Sequence, residues 1–206
     1  MLHADILSEQ QKTLLPLLQK FRTDFGLVGG TAIALHIGHR ASIDFDLFTA
    51  EPLRTDALRR DIIAFGKNIR TLVDTPEEYT VLTDGVKLTF LRYPFALEYP
   101  VLWDDTARLP ELLTLASMKA YALGRRAKWK DYVDICFILE TRHSLREIAD
   151  RAESIFGEEF NEKNFRSQLA YFDDVDYSEA VMYRPGFEKN DEDIKKMLMN
   201  FSLSEA

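Results

Sequence analysis

The spacing of apolar residues along the chain sets the first expectations. Ile6, Leu7, Leu14, Leu15, Leu17 and Leu18 recur at mostly helical spacing with a break at Pro16, which predicts one or two helices across residues 5–21. The apolar run Phe25-Gly26-Leu27-Val28 predicts a short buried strand ending at Gly29-Gly30, and a helix follows over 31–37 until Gly38 stops it. Over 42–48 the period changes to two. Ile43, Phe45 and Leu47 alternate with Ser42, Asp44 and Asp46, the pattern of a strand with one apolar face and one acidic face. A helix is expected over 55–69, and a hairpin from 79–82 and 86–92 turning at Asp84-Gly85. Helices are expected over 112–123, closed by Gly124, and over 130–139. Beyond residue 140 the character changes. Ser144-Leu145-Arg146-Glu147 matches a capping box opening a helix to about Phe156, and two more helices are expected over 161–172 and 191–201.

These elements predict an α/β fold, with a small mixed sheet from strands near 25–28, 42–48, 79–83 and 86–92 and a helical C-terminal part. The expected division is 1–140 for the core with its N-terminal helix and 141–206 for the helical region. A chain of 206 residues with 46% hydrophobic and 29% charged residues can bury a core, and points neither to disorder nor to a membrane partner. No basic-then-apolar leader opens it, so a cytoplasmic protein is expected. The lone Cys136, set in Ile135-Cys136-Phe137-Ile138-Leu139, reads as a buried inert thiol. A net charge of −8 argues against coating nucleic acid with the whole surface. A local basic window remains in Arg125-Arg126-Ala127-Lys128-Trp129-Lys130, four cations and an indole.

The chemistry concentrates in the segment from Val28 to Leu47, which reads as strand, glycine turn, helix and acid-bearing strand. Alternate residues of a strand share a face, so Asp44 and Asp46 lie roughly 6.5–7 Å apart on one side and can reach one cation. Magnesium takes a few carboxylate oxygens together with waters and substrate phosphates, which suits two acids with open positions. Gly29 and Gly30, lacking Cβ atoms, let backbone N–H groups approach phosphate at the positive start of the next helix, where Thr31 adds a hydroxyl. A glycine pair or an Asp-x-Asp alone is common; the two in this order, with thirteen residues between Gly30 and Asp44, are much more specific. His36 and His39 straddle the Gly38 stop, which disfavours a shared zinc site. His39-Arg40 beside the acids suits phosphate contact instead, and His3 and His143 are expected to face solvent.

At these residues the sequence resembles the DNA polymerase β-like nucleotidyltransferases, whose signature is a Gly-Gly or Gly-Ser turn followed by Asp-x-Asp. More narrowly it is similar to the AbiEii/AbiGii toxin family, through Gly29-Gly30-Thr31-Ala32, through Gly38-His39-Arg40-Ala41-Ser42-Ile43-Asp44-Phe45-Asp46, and through a later block from Met118-Lys119 to Lys130-Asp131-Tyr132-Val133-Asp134. The likeness covers about residues 22–140; the N-terminal helix and the last 65 or so residues match no pattern that can be named. It implies a polymerase β-like core and a Mg²⁺-dependent transfer of NMP from an NTP. Asp44 and Asp46 would be catalytic metal ligands, and Gly29, Gly30, Thr31, Arg40, Ser42 and Lys119 would bind nucleotide. It further implies that Lys119 contacts the phosphates and that Asp131 acts near the attacking group, as candidate general base.

Read from spacing alone, Lys119 lies on a helix whose Leu112, Leu115 and Leu123 face the core, leaving its ammonium free for a phosphate. Asp131 and Asp134 share a helix side. The apolar neighbours of Asp134 predict an internal partner, Arg125 or Arg126. One departure stands out: the strand expected over 86–92 offers Thr89 where many relatives carry a third acid. Asp131 then substitutes, or one metal is bound tightly, or activity is lost. The resemblance also implies a toxin of a bacterial toxin–antitoxin pair with an antitoxin partner and tRNA or another RNA end as acceptor, the 125–130 window meeting RNA phosphates while Trp129 stacks on a base. A small-molecule acceptor and a catalytically silent binding module are the alternatives.

Overall fold

The structure, a computed structural model, describes residues 2–204. The chain divides into two compact units, Met1–Glu111 and Leu112–Ala206. The division therefore falls after Glu111, ahead of the 140/141 boundary expected from sequence. The helices over 112–123 and 129–141 pack with the C-terminal helices, the first of them extensively against the helix of residues 145–156.

The first unit opens with a single 3₁₀ turn and two short helices, α1 (Glu9–Thr13) and α2 (Leu15–Phe21), which bury Leu17, Leu18 and Phe21. Pro16 starts the second helix rather than kinking one long one, because the first helical turn has no N–H to lose. Then come β1 (Gly26–Val28), α3 (Gly29–Ile37) and β2 (Phe45–Thr49), with Gly38 closing α3 in the left-handed conformation at φ 78°. α4 (Thr55–Phe65), β3 (Arg70–Asp74), β4 (Glu78–Thr83) and β5 (Val86–Arg92) complete a five-stranded sheet in the order β1-β2-β5-β4-β3. β2 and β5 are parallel and the other neighbours antiparallel, giving the mixed sheet expected. Asp84 and Gly85 turn the β4–β5 hairpin with φ of 49° and 82°, as a two-residue turn of the I′ kind requires.

Three features depart from the expectations. The helix from Thr55 stops at Phe65, and residues 70–74 form the edge strand β3, whose side chains are mostly exposed and so carry no alternating pattern. A small hairpin, β6 (Val101–Trp103) with β7 (Ala107–Leu109), was not signalled because strands of three residues are too short to show a period. β2 begins at Phe45, not at residue 42, because its pairing with β1 reaches only Asp46 and its pairing with β5 starts at Phe45 opposite Leu88. Ile43 is accordingly 43% exposed, where the alternation placed it inside.

The second unit is helical: α5 (Leu112–Leu123), α6 (Trp129–Thr141), α7 (Leu145–Phe156), α8 (Glu162–Leu169) and α9 (Asp191–Leu203). The Ser144 hydroxyl accepts from the Glu147 N–H and the Glu147 carboxylate accepts in return from Ser144, so the capping box forms as its residues predict. α6 is buried nearly all round, which explains why its apolar residues show no single stripe. Among the described residues no helix is long and apolar enough to cross a membrane.

Candidate active site

In the first unit the glycine turn and the acids meet. Gly29 opens α3 with φ 71°, a conformation that favours glycine, and a Cβ built on it would lie 2.1 Å from Asp46 Oδ2. The Asp46 carboxylate thus occupies the space that glycine leaves at the positive end of α3. A Cβ on Gly30 would meet the Arg40 guanidinium at 2.7 Å and Ser42 Oγ at 3.3 Å, so Arg40, only 2% exposed, closes the other side of the turn. The Thr31 hydroxyl donates to the Asp44 carbonyl and lies 2.9 Å from Ser42 Oγ. Having one proton, it can donate to that carbonyl while accepting from Ser42. These bonds hold residues 42–44 against α3 just where the strand ladder has not begun, and their effect is to aim Asp44. Gly29, Gly30, Thr31, Arg40, Ser42, Asp44 and Asp46, spread over eighteen positions of the sequence, are linked by these contacts into one cluster.

β5 supplies what sequence reasoning missed. Thr89 sits opposite Asp46 in the parallel pairing, so the position that lacks an acid is indeed beside the acid pair. Two residues earlier on the same face, Lys87 places Nζ 3.0 Å from Asp44 Oδ2. The available signal was the period-two spacing of Lys87 and Thr89. It gave no hint of the parallel register that brings them to Asp44 and Asp46.

The second unit holds a buried ion cluster. Lys119 pairs with Asp131 Oδ1 and lies 3.2 Å from Asp134 Oδ2, while Arg126 Nε reaches Asp131 Oδ2 at 3.2 Å. Lys119 is therefore not left free on a helix surface: it is 7% exposed and tied between two acids of α6. The internal partner of Asp134 is Lys119 rather than Arg125 or Arg126. The basic window is likewise spent inside the unit. Arg125 pairs with Glu159, and Lys128 and Lys130 both reach Glu179, whose carboxyl they draw down to about 2, the Lys128 hydrogen bond contributing most. Trp129 is 3% exposed, donates to Asp191 Oδ1 at 2.9 Å and packs on Tyr132 and Tyr177, so it offers no face for a base.

The histidines and the cysteine lie as follows in the fold. His36 Nε2 lies 3.0 Å from the Pro110 carbonyl, His39 is fully buried, and the His3 ring, expected in solvent, lies against Gly38. His143 is half-buried beside Glu147. Cys136 is buried as expected, and desolvation first, then Glu140, pushes its thiol up to about 12.

The model of the nucleotidyl transferase AbiEii toxin family, of type IV toxin–antitoxin systems, matches residues 17–204. The chain belongs to the AbiEii family. It is thus a nucleotidyltransferase of a toxin–antitoxin family, which implies a nucleotide substrate and an antitoxin partner. The match extends through the C-terminal helices, well beyond the motifs that end near residue 140. An uncharacterized protein of Aquifex aeolicus is 29% identical over 86% of this AbiEii chain and 88% of its own length. Among solved structures, MenT4, a nucleotidyltransferase toxin of Mycobacterium tuberculosis, superposes with a TM-score of 0.65 at 12% identity, covering 94% of this chain and 80% of that one. JHP933 from Helicobacter pylori gives 0.63 at 18% identity, over 95% and 91%. The two structures share the fold of this AbiEii chain.

The glycine turn makes a direct prediction. In Gly29→Ala the new methyl adds left-handed strain and collides with Asp46, so a stability loss of about 1–3 kcal/mol in urea denaturation and a marked fall in nucleotide transfer are expected. Gly85→Ala is the control, because Gly85 has φ 82° but nothing within 4 Å of a Cβ. It should lose about 1 kcal/mol for the backbone alone and keep its activity. Equal loss of transfer in the two variants would separate Gly29 from the site.

Proposed function

We propose that this AbiEii chain is a cytoplasmic toxin that moves a nucleoside monophosphate from an NTP to the end of an RNA, tRNA first among the candidates, with Mg²⁺ held by Asp44 and Asp46. The observation that carries this reading is the Asp46 carboxylate lodged in the space of the missing Gly29 Cβ, which sets one acid of the proposed pair against the proposed phosphate-cradling turn. The donor set fits the ion. Among the described residues no three His, Cys, Asp or Glu side chains group as a metal site, and magnesium that keeps waters and takes substrate phosphates needs only one or two carboxylates. When bound, it would neutralise phosphate charge and orient the transferred group.

The rest of the work falls to the chain. Backbone N–H groups of Gly29 and Gly30 hold phosphate oxygens at the start of α3, and Arg40 backs the turn with positive charge. Thr31 and Ser42 hold Asp44 in place. The acceptor hydroxyl oxygen attacks the α-phosphorus as its proton passes to solvent water, the bond from the α-phosphorus to the oxygen bridging to the β-phosphate breaks, and pyrophosphate leaves; most of the catalysis is positioning and charge stabilisation. Lys119 offsets phosphate charge only on release from Asp131 or Asp134. Asp131, with both oxygens held by cations, suits the task of holding Lys119 better than that of taking a proton.

One observation favours the small-molecule acceptor as a second reading. All four cations of the 125–130 window have acid partners within their own unit, which offsets part of the positive charge that the window offers to RNA. Incubation with each labelled NTP, Mg²⁺ and total bacterial RNA separates the two. A labelled tRNA-sized band is expected; label that appears only on small molecules would replace RNA by the second reading.

A further inference from the structure

Lys87 is placed by the structure on Asp44, and the reading of Asp44 and Asp46 as metal ligands leaves it without a task. Its ammonium lies 3.0 Å from Asp44 Oδ2, and Thr89, two residues on along the same face of β5, pairs opposite Asp46. The two carboxylates and the ammonium together carry one net negative charge, so a bare divalent ion meets half the charge that two free carboxylates would offer it. The ammonium also competes with a cation for Asp44, since it holds Oδ2 of that carboxylate. Lys87 and Asp44 side chains are 39% and 31% exposed, and a part-exposed pair of this kind is weak and easily rearranged.

We propose that Lys87 is the internal counter-ion of the metal site, holding Asp44 until the metal–nucleotide complex displaces it. This inference rests on the assignment of Asp44 and Asp46 as the metal pair. Bare metal must compete with the ammonium for Asp44. Metal arriving with a nucleoside triphosphate does not, because the phosphates bring the charge that the displaced ammonium then faces. Lys87 is a flexible point charge on a four-carbon stem, able to exchange a carboxylate for a phosphate oxygen without moving the sheet. Its effect is to make metal and nucleotide bind together. The position of Lys87 beside Thr89 gives the β5 face a cation and a hydroxyl where a third acid would strengthen binding of metal alone.

Titration of the full chain with Mn²⁺ alone, following the free ion by electron paramagnetic resonance, tests this with a readout that a merely structural ion pair would not improve. Lys87→Met should bind Mn²⁺ about three- to tenfold more tightly than wild type, because the competing charge is gone. Lys87→Gln should do the same, giving a second variant should the first fold poorly, and Lys87→Arg should stay close to wild type. Asp46→Asn should lose the binding with either residue at 87. If Asp46→Asn weakens Mn²⁺ binding but neither neutral variant at 87 tightens it, Lys87 is an ordinary surface pair and the inference falls while the metal pair stands. If Asp46→Asn leaves Mn²⁺ binding unchanged, the metal assignment falls and the inference falls with it.

Discussion

Asp46→Asn is expected to lower nucleotide transfer by about a hundredfold or more while leaving the fold almost untouched. Changes in groups that merely support a metal ligand cost roughly 10–100-fold, and loss of a ligand's own charge should cost at least as much. The small effect on stability follows from two opposed terms. Removing one of two neighbouring like charges relieves repulsion. That relief is limited, because Lys87 already pairs with Asp44. Against it, the Asp46 carboxylate sits at the first residue of α3, where a negative charge is favourable by about 0.3–1 kcal/mol. The variant should therefore stay within about 1 kcal/mol of wild type. Urea denaturation, the rise in melting temperature produced by Mg²⁺ with NTP, and the transfer rate should be measured on one preparation. Full transfer activity in Asp46→Asn would remove this pair from the catalytic site, whatever its stability.

The largest stability effect is expected at Lys119. Lys119→Ala leaves Asp131 and Asp134, 2% and 0% exposed, without the ammonium between them, and breaking a buried ion pair from one side costs about 3–5 kcal/mol. Arg126 offsets only part of this, since it reaches Asp131 but its own side chain is 57% exposed. Loss of activity in Lys119→Ala would say little about catalysis, because the fold suffers first. A combined Lys119→Met, Asp131→Leu, Asp134→Leu variant removes the charges together, and well-packed apolar replacements of a buried cluster are often neutral or stabilising. That variant should recover most of the lost denaturation midpoint and still transfer no nucleotide. Recovery of both stability and transfer would make Lys119 a purely structural residue.

Local chemistry explains why much of the fold was legible. The helix from Gly29 to Gly38, the hairpin at Asp84-Gly85, the helix over 112–123 and the capping box at Ser144 each depend on residues adjacent in sequence, and each forms as expected. Edge strand β3 and the β6–β7 hairpin were not legible, since an exposed or three-residue strand needs no alternation of its own. The expected start of β2 at residue 42 failed for the same reason in reverse. The alternation of residues 42–44 is real, but no neighbouring strand pairs there.

At the site, the sequence by itself determined the ingredients and their local order. Glycine at 29 permits a left-handed backbone that other residues resist, glycine at 30 leaves room for Arg40, and the spacing of Asp44 and Asp46 keeps the two acids close along the chain, because these properties belong to the chain within a few residues. Only the tertiary structure decided which charges meet. The parallel register of β2 and β5 brings Lys87 to Asp44 and Thr89 to Asp46 across some forty residues of chain. The packing of α5 on α6 draws Lys119 between Asp131 and Asp134, and the segments around Glu159 and Glu179 take up Arg125, Lys128 and Lys130, turning an apparent basic patch into internal ion pairs. Charge acts through space and not along the sequence, so a lysine's partner is set by the fold even where its helix or strand is not.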